Sequence, residues 1–330
     1  MNFSQLMNLA SGHVEARIVQ TALELKIFEA LAFEDRTATQ VAEPLKLEIK
    51  ATELLLNALT SLKLLLKKGD VFSLRSVARI YFLERSPKYV GGMIRFESSL
   101  WRCWEHLPQA IRTGAAVRPP NMYQDDQIET KIFIEAMDSL VKARGDAEVL
   151  IDALDWSEFK TFLDLGSGPA SYPIALCEHF TELSATIFDL PGTLAISARY
   201  VREARMTQRI RLVAGDYRSD PIPGTYDVIL LSNIIHGESF ERNEHLIAKL
   251  AEHLTPSGRI IIKDHILDES RAHPRVGALF SILMLLTTDE GRCYSYKEIR
   301  GWLERAGLRQ VREIALPAPL TSSLVIGINH

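Results

Sequence analysis

The stretch from Thr161 to Gly192, TFLDLGSGPASYPIALCEHFTELSATIFDLPG, constrains the fold of this chain more than any other. Phe162, Leu163 and Leu165 form a short apolar run around Asp164 that stops at Gly166-Ser167-Gly168, where two residues without a Cβ let the backbone turn sharply and approach a ligand. Ile174, Ala175, Leu176 and Phe180 then recur at helical spacing, and Ser184 to Leu190 returns to strand with Asp189 at its carboxyl end. Strand, glycine turn, helix and strand make one nucleotide-binding βαβ half, with Asp189 about twenty residues past the glycines, where such folds hold a ribose. The third glycine of the dinucleotide fingerprint is missing, since Pro169, Ala170 and Ser171 follow Gly168, and this leans away from a nicotinamide cofactor. A glycine pair alone also fits a tight turn with no ligand; the coincidence of turn, helix and placed carboxylate favours a cofactor.

A chain of 330 residues with 47% hydrophobic content is too long for one typical core and predicts two domains. No run approaches the roughly eighteen apolar residues of a membrane span, and Met1 to Gly12 lacks the basic start and apolar core of a secretory signal, so a cytoplasmic location is expected. Cys103, Cys177 and Cys293 are odd in number and far apart, which supports neither a disulfide framework nor a metal site. The net charge of −4 offers no global attraction to nucleic acid or to an anionic membrane.

Ahead of the βαβ half the pattern is helical. Ile18, Ala22, Leu25, Phe28 and Leu31 place one apolar stripe on a helix that runs from Val14. Thr37 caps a second helix, Lys50 to Leu66 reads as a third, and Lys67-Lys68-Gly69-Asp70 turns a small hairpin into Val71-Phe72-Ser73-Leu74. Three helices and a hairpin form a winged-helix pattern. A DNA-recognition helix needs basic and amide side chains on its exposed face, and the third helix offers only Lys50, Asn57 and Lys63. Packing against a second copy of the chain is the simpler expectation. Helices follow at Ser76 to Leu83, Lys88 to Ile111 and Ile128 to Arg144, with a Pro- and Gly-containing loop across Thr113 to Gln127. These signals divide the chain into a winged-helix dimerisation domain over 1–110, a linker with helices over 111–156 and a cofactor-binding domain over 157–330.

Past Asp189 the α/β alternation continues. Ile210 to Ala214 is a strand leading into Gly215-Asp216-Tyr217, and Tyr226 to Ser232 and Gly258 to Lys263 are strands apolar enough for burial on both faces of a parallel sheet. Helices are expected at Glu241 to Leu254, Pro274 to Leu286 and, behind Ser295 as N-cap, Tyr296 to Arg305. Gln310 to Leu316 and Ser322 to Asn329 are close enough in sequence that they must pair antiparallel.

Taken together, DLGSGPASY, FDLPG, GDYRSDPIPGTYDVILLSNIIH, LTPSGRIIIKD and EGRCYSYKEIRGWLERAGL resemble, in order and spacing, the class I S-adenosylmethionine-dependent methyltransferases. The resemblance is to their small-molecule O-methyltransferase family, the plant caffeic-acid-type enzymes and bacterial relatives, many of them in secondary metabolism, and it covers nearly the whole chain. It implies an α/β fold: a Rossmann-like sheet behind a mostly helical, winged-helix dimerisation domain, working as a homodimer. It also implies S-adenosylmethionine as cofactor, with Asp164, Gly166 and Gly168 at its methionine end, Asp189 and Leu190 at the ribose, Asp216 and Tyr217 flanking the adenine, and Ser232 near its amino acid. His236 matches the general base, for which an imidazole suits because its pKa lies near neutrality.

In the plant enzymes an Asp follows the base and two more carboxylates flank it. This chain has Gly237 after His236 with Glu238 next, Asp264 at one flanking position and Cys293 at the other, and Glu290 as the expected substitute. The resemblance places a hydroxylated small-molecule acceptor between the domains against Phe133, Met137, Phe280 and Met284, an apolar lining suited to an aromatic or polyketide-like compound. Transfer to carbon or nitrogen, or a non-methylating reaction on the same scaffold, is the alternative, because fold alone does not choose among them.

Overall fold

Local capping and glycine chemistry set most element boundaries in the computed structural model, which describes residues 1–118 and 126–330. The loop read across Thr113 to Gln127 therefore falls partly outside the described residues. The chain divides into two units, Met1–Trp101 with Glu135–Ala143, and Arg102–Ile134 with Arg144–His330.

The first unit opens with α1 (Phe3–Glu24), where Asn2 and Gln5 form a capping box. Of the apolar stripe expected from Ile18, Ala22, Phe28 and Leu31 are buried, but Leu25 is exposed because α1 ends there. Lys26 adopts a left-handed φ of 58°, which ends α1 and starts the short α2 (Ile27–Ala30). Next come β1 (Arg36–Thr37), α3 (Ala38–Leu45) behind a Thr37–Gln40 capping box, and α4 (Ile49–Ser61). β2 (Leu65–Lys68) and β3 (Val71–Leu74) form the hairpin, with β1 on the other edge of β3 in an antiparallel sheet ordered β1-β3-β2.

Beyond α5 (Ser76–Tyr81), the single helix expected over Lys88 to Ile111 is three: α6 (Gly91–Ser99), α7 (Trp101–Glu105) and α8 (Leu107–Thr113). Pro108 explains the last break, because proline lacks the N–H that a continuing helix needs and is tolerated only in a first turn. α9 (Gln127–Arg144) and α10 (Asp146–Ala153) precede the sheet. In α9 Ile132 is exposed, whereas Ile134 and Ala136 are buried.

The second unit carries β4 (Thr161–Leu165), α11 (Ser171–His179), β5 (Ser184–Asp189), α12 (Pro191–Glu203), β6 (Ile210–Ala214) and β7 (Tyr226–Ser232). After a single 3-10 turn (Ile235–Gly237) follow α13 (Phe240–Ala251), β8 (Leu254–Asp264), α14 (Arg275–Thr287), α15 (Tyr296–Arg305), β9 (Arg309–Ala315) and β10 (Ser323–Ile328). The seven strands are ordered β6-β5-β4-β7-β8-β10-β9. The first five run parallel, and β10 lies antiparallel between β8 and β9, as the short final connection requires.

Ile229, Leu231, Ile260 and Ile262 from the central strands pack with Trp302, Tyr294 and Leu303 in one buried cluster. Burial of such side chains contributes on the order of 1.5–3 kcal/mol each. Strand order reverses beside β4, so the ligand crevice of an open parallel sheet lies at the carboxyl ends of β4 and β7. No helix among the described residues is long and apolar enough to cross a membrane.

Candidate active site

β4 ends by burying Asp164, and the chain turns through Gly166 and Gly168 with φ of 64° and 61°. A Cβ on Gly166 would stand 2.5 Å from Ile234 Cδ1, so glycine is needed there for space as well as for conformation. Both Asp164 oxygens are buried without a hydrogen-bond partner among the described residues. Burial raises its pKa to about 7, with Asp189 adding to the rise and the Ser167 hydroxyl opposing it. At the end of β5, Asp189 accepts the N–H of Gly168 at 2.9 Å and of Leu190 at 2.7 Å. Burial lifts this carboxyl to about 6 against those N–H donors. Asp216 and Tyr217 follow β6, and Ser232 closes β7.

His236 sits on the 3-10 turn just beyond β7. Its Nδ1 lies 2.9 and 3.0 Å from the two oxygens of Asp264, at the end of β8. An ionised carboxylate only accepts, so Nδ1 carries the proton and Nε2 presents a lone pair. Burial acts most strongly on Asp264 and pushes its pKa up, but the charge and hydrogen bond of His236, with His265, hold the carboxyl below its ordinary range. The Phe280 ring on α14 meets the His236 imidazole edge-on at 4.8 Å between centroids. Met284 is buried one turn further along α14.

Other expected partners lie elsewhere. Glu290 is exposed and makes no hydrogen bond or ion pair among the described residues; the turn packs on His236 through Gly291, where a Cβ would lie 2.3 Å from the His236 carbonyl oxygen. Glu238 is buried, and it accepts from the Tyr217 hydroxyl at 2.8 Å and from Arg218 Nε at 2.7 Å, which commits it to the Tyr217 side of the crevice. Cys293 is buried with its thiol pushed up to about 12 by burial and by Asp264, so it stands as a neutral thiol. Phe133 belongs to the second unit and Met137 to the first.

One polar cluster went unread in the sequence. Lys263, fully buried on β8, donates to Asp146 at 3.0 Å, and Arg144 grips the same carboxylate with two hydrogen bonds. The isolated lysine in the apolar run RIIIKD was the available signal. All three cysteines are free and buried. No group of three or more His, Cys, Asp or Glu side chains among the described residues converges on a metal position.

A glycine turn, the Asp189 carboxylate at the end of β5 and a histidine just beyond β7, around the switch point of this sheet, are the arrangement of a Rossmann-like methyltransferase of the class that uses S-adenosylmethionine. The O-methyltransferase domain model matches residues 106–309 and the O-methyltransferase dimerisation domain model residues 7–84. The chain belongs to this S-adenosylmethionine-dependent O-methyltransferase family. It is 31% identical to the tetracenomycin polyketide synthesis 8-O-methyl transferase TcmO of Streptomyces glaucescens, over 97% of this chain and 95% of that one. To the 3-hydroxy-5-methyl-1-naphthoate 3-O-methyltransferase of Streptomyces sahachiroi it is 30% identical, over 98% of this chain and 94% of the relative. Among solved structures, PigF with SAH superimposes with a TM-score of 0.90 at 25% identity, covering all of both chains. Human N-acetylserotonin methyltransferase in complex with SAM shares the fold, with a TM-score of 0.90 at 23% identity over 99% of this chain and 97% of that one.

The residues present fit the cofactor. The two unpartnered Asp164 oxygens are a costly feature in isolation, and the ammonium group of S-adenosylmethionine is the kind of partner that offsets it. Gly166 and Gly168 leave the backbone bare, and Asp189 retains acceptor capacity beyond its two N–H donors.

Proposed function

We propose that this protein transfers the S-adenosylmethionine methyl group to a hydroxyl of an aromatic or polyketide-like small molecule, with His236 as general base, and that it acts as a homodimer through its N-terminal region. When bound, the cofactor supplies a methyl already activated on a sulfonium, so the protein's task is orientation and proton removal. Asp164, Gly166, Gly168, Asp189, Leu190, Asp216, Tyr217 and Ser232 would hold it. Asp264 keeps the His236 proton on Nδ1, which leaves Nε2 free to take the acceptor's hydroxyl proton, and its negative charge stabilises the imidazolium that forms. Phe280 supplies an apolar surface beside the base.

The observation that carries the reading is the His236–Asp264 pair at 2.9 Å, one carboxylate serving where the plant enzymes have several. The relatives named above for methylating a polyketide and a naphthoate support an aromatic acceptor. A relative at 24% identity is the N,N-dimethyltransferase OxyT of Streptomyces rimosus, so amines belong in the test. Methyl-labelled S-adenosylmethionine offered with phenols, hydroxylated polyketides and aromatic amines should place the label on oxygen. Label found on nitrogen or carbon alone would overturn the assignment.

A further inference from the structure

His265 follows Asp264 at the end of β8, and among the described residues one of its nitrogens has no hydrogen-bond partner. Its Nδ1 is 3.0 Å from the Thr321 carbonyl oxygen. A carbonyl only accepts, so the proton is on Nδ1 and Nε2 bears a lone pair. Burial is the largest influence on the imidazole and lowers its pKa, assisted by His236 and Lys263 and opposed by Asp264 and the Thr321 carbonyl, so the ring is neutral at pH 7. Nε2 makes no hydrogen bond among the described residues, and His265 is only half-buried.

Two links tie this nitrogen to the base. Asp264 accepts both the His236 Nδ1–H and the His265 backbone N–H, the latter at 2.7 Å. The Phe280 ring meets both imidazoles edge-on, with centroids 4.8 Å from His236 and 5.0 Å from His265. Two imidazoles thus flank one aromatic ring, each with Nδ1 bonded to an oxygen acceptor and with no hydrogen bond at Nε2 among the described residues.

We infer that His265 is a specificity-determining residue that accepts a hydrogen bond from a second donor on the acceptor molecule, so that the site selects aromatic compounds bearing two hydroxyls over those bearing one. The inference rests on the reading of His236 and Phe280 as the acceptor site. Its chemistry is one-directional, because a bare Nε2 rewards a hydroxyl or N–H and gives nothing to a methoxy group at the same place. A structural role through Thr321 alone would give no such preference.

The test is equilibrium binding of the two naphthols and the isomeric dihydroxynaphthalenes to the full-length protein saturated with S-adenosylhomocysteine, which needs no turnover. At least one dihydroxy isomer should bind about three- to tenfold more tightly than either naphthol, the range of one net hydrogen bond. In His265→Phe that preference should fall below about twofold with naphthol affinity retained, whereas His265→Gln, which keeps an acceptor oxygen, should preserve part of it. The inference is overturned if no isomer binds more tightly than the naphthols, if the preference survives in His265→Phe, or if that variant loses both ligand classes equally. His236→Ala separates the two readings: a retained binding preference with methyl transfer lost supports both, and a retained preference with transfer undiminished removes His236 as base while leaving His265 in place.

Discussion

An imidazole becomes a directed base only when its second nitrogen is committed, and the role proposed for His236 draws on the bond from its Nδ1 to Asp264. Asp264→Asn replaces an acceptor-only group with an amide that can also donate, so the tautomer is no longer fixed. The methylation rate should fall at least tenfold with cofactor affinity unchanged, as measured by steady-state kinetics beside a cofactor titration. Asp164 gives a pH prediction. Its folded pKa of about 7 lies above the ordinary carboxyl value of 3.8, so in the cofactor-free protein it contributes stability below pH 3.8 that is lost as pH rises through 7. A cationic cofactor favours the ionised carboxyl. Affinity for S-adenosylmethionine should therefore rise with pH up to about 7, by at most about tenfold per unit, and Asp164→Asn should flatten the dependence in calorimetric titrations at pH 5.5 to 8. The glycine turn, Asp189 and His236 were legible in the sequence because each sits at a strand end whose apolar run locates it. The engagement of Glu238 by Tyr217 and Arg218 was not, because it joins two loops some twenty residues apart through side chains with no shared periodicity.

At the scale of elements, β8 is joined to α10 by a buried charge pair, Lys263 with Asp146, whose partners are 117 residues apart. Removing Asp146 strands the buried Lys263 charge, whereas Arg144 would still pair Asp146 if Lys263 were removed. Asp146→Ala should cost about 3–5 kcal/mol in denaturant unfolding, whereas Asp146→Leu with Lys263→Met should recover much of the loss. Strands β6 and β7 and helix α15 were readable to the residue, since continuous apolar runs and the Ser295 cap mark their ends. The helices of the first unit were harder. A left-handed Lys26 carries no glycine to announce it, and the breaks around Leu100 and His106 interrupt an apolar pattern that reads as continuous.

At the scale of the whole molecule, α1 exposes Phe3, Leu6, Met7, Leu9 and Val14, of which Phe3 is 77% exposed, within or beside the region that matches the dimerisation domain. So large an apolar surface on one helix calls for a partner. Light scattering should find a dimer, and Leu6→Glu with Leu9→Glu should shift it toward monomer; a wild-type monomer at micromolar concentration would contradict the homodimer. The function of the whole molecule turns on whether methyl transfer to oxygen runs through His236. The most direct measurement is the rate of methyl transfer by wild type and His236→Ala to the best acceptor of the panel, with cofactor affinity measured on both. With His236 as base, the variant should lose about a hundredfold or more in kcat with cofactor affinity unchanged. A variant that retains kcat within a few-fold of wild type would contradict it.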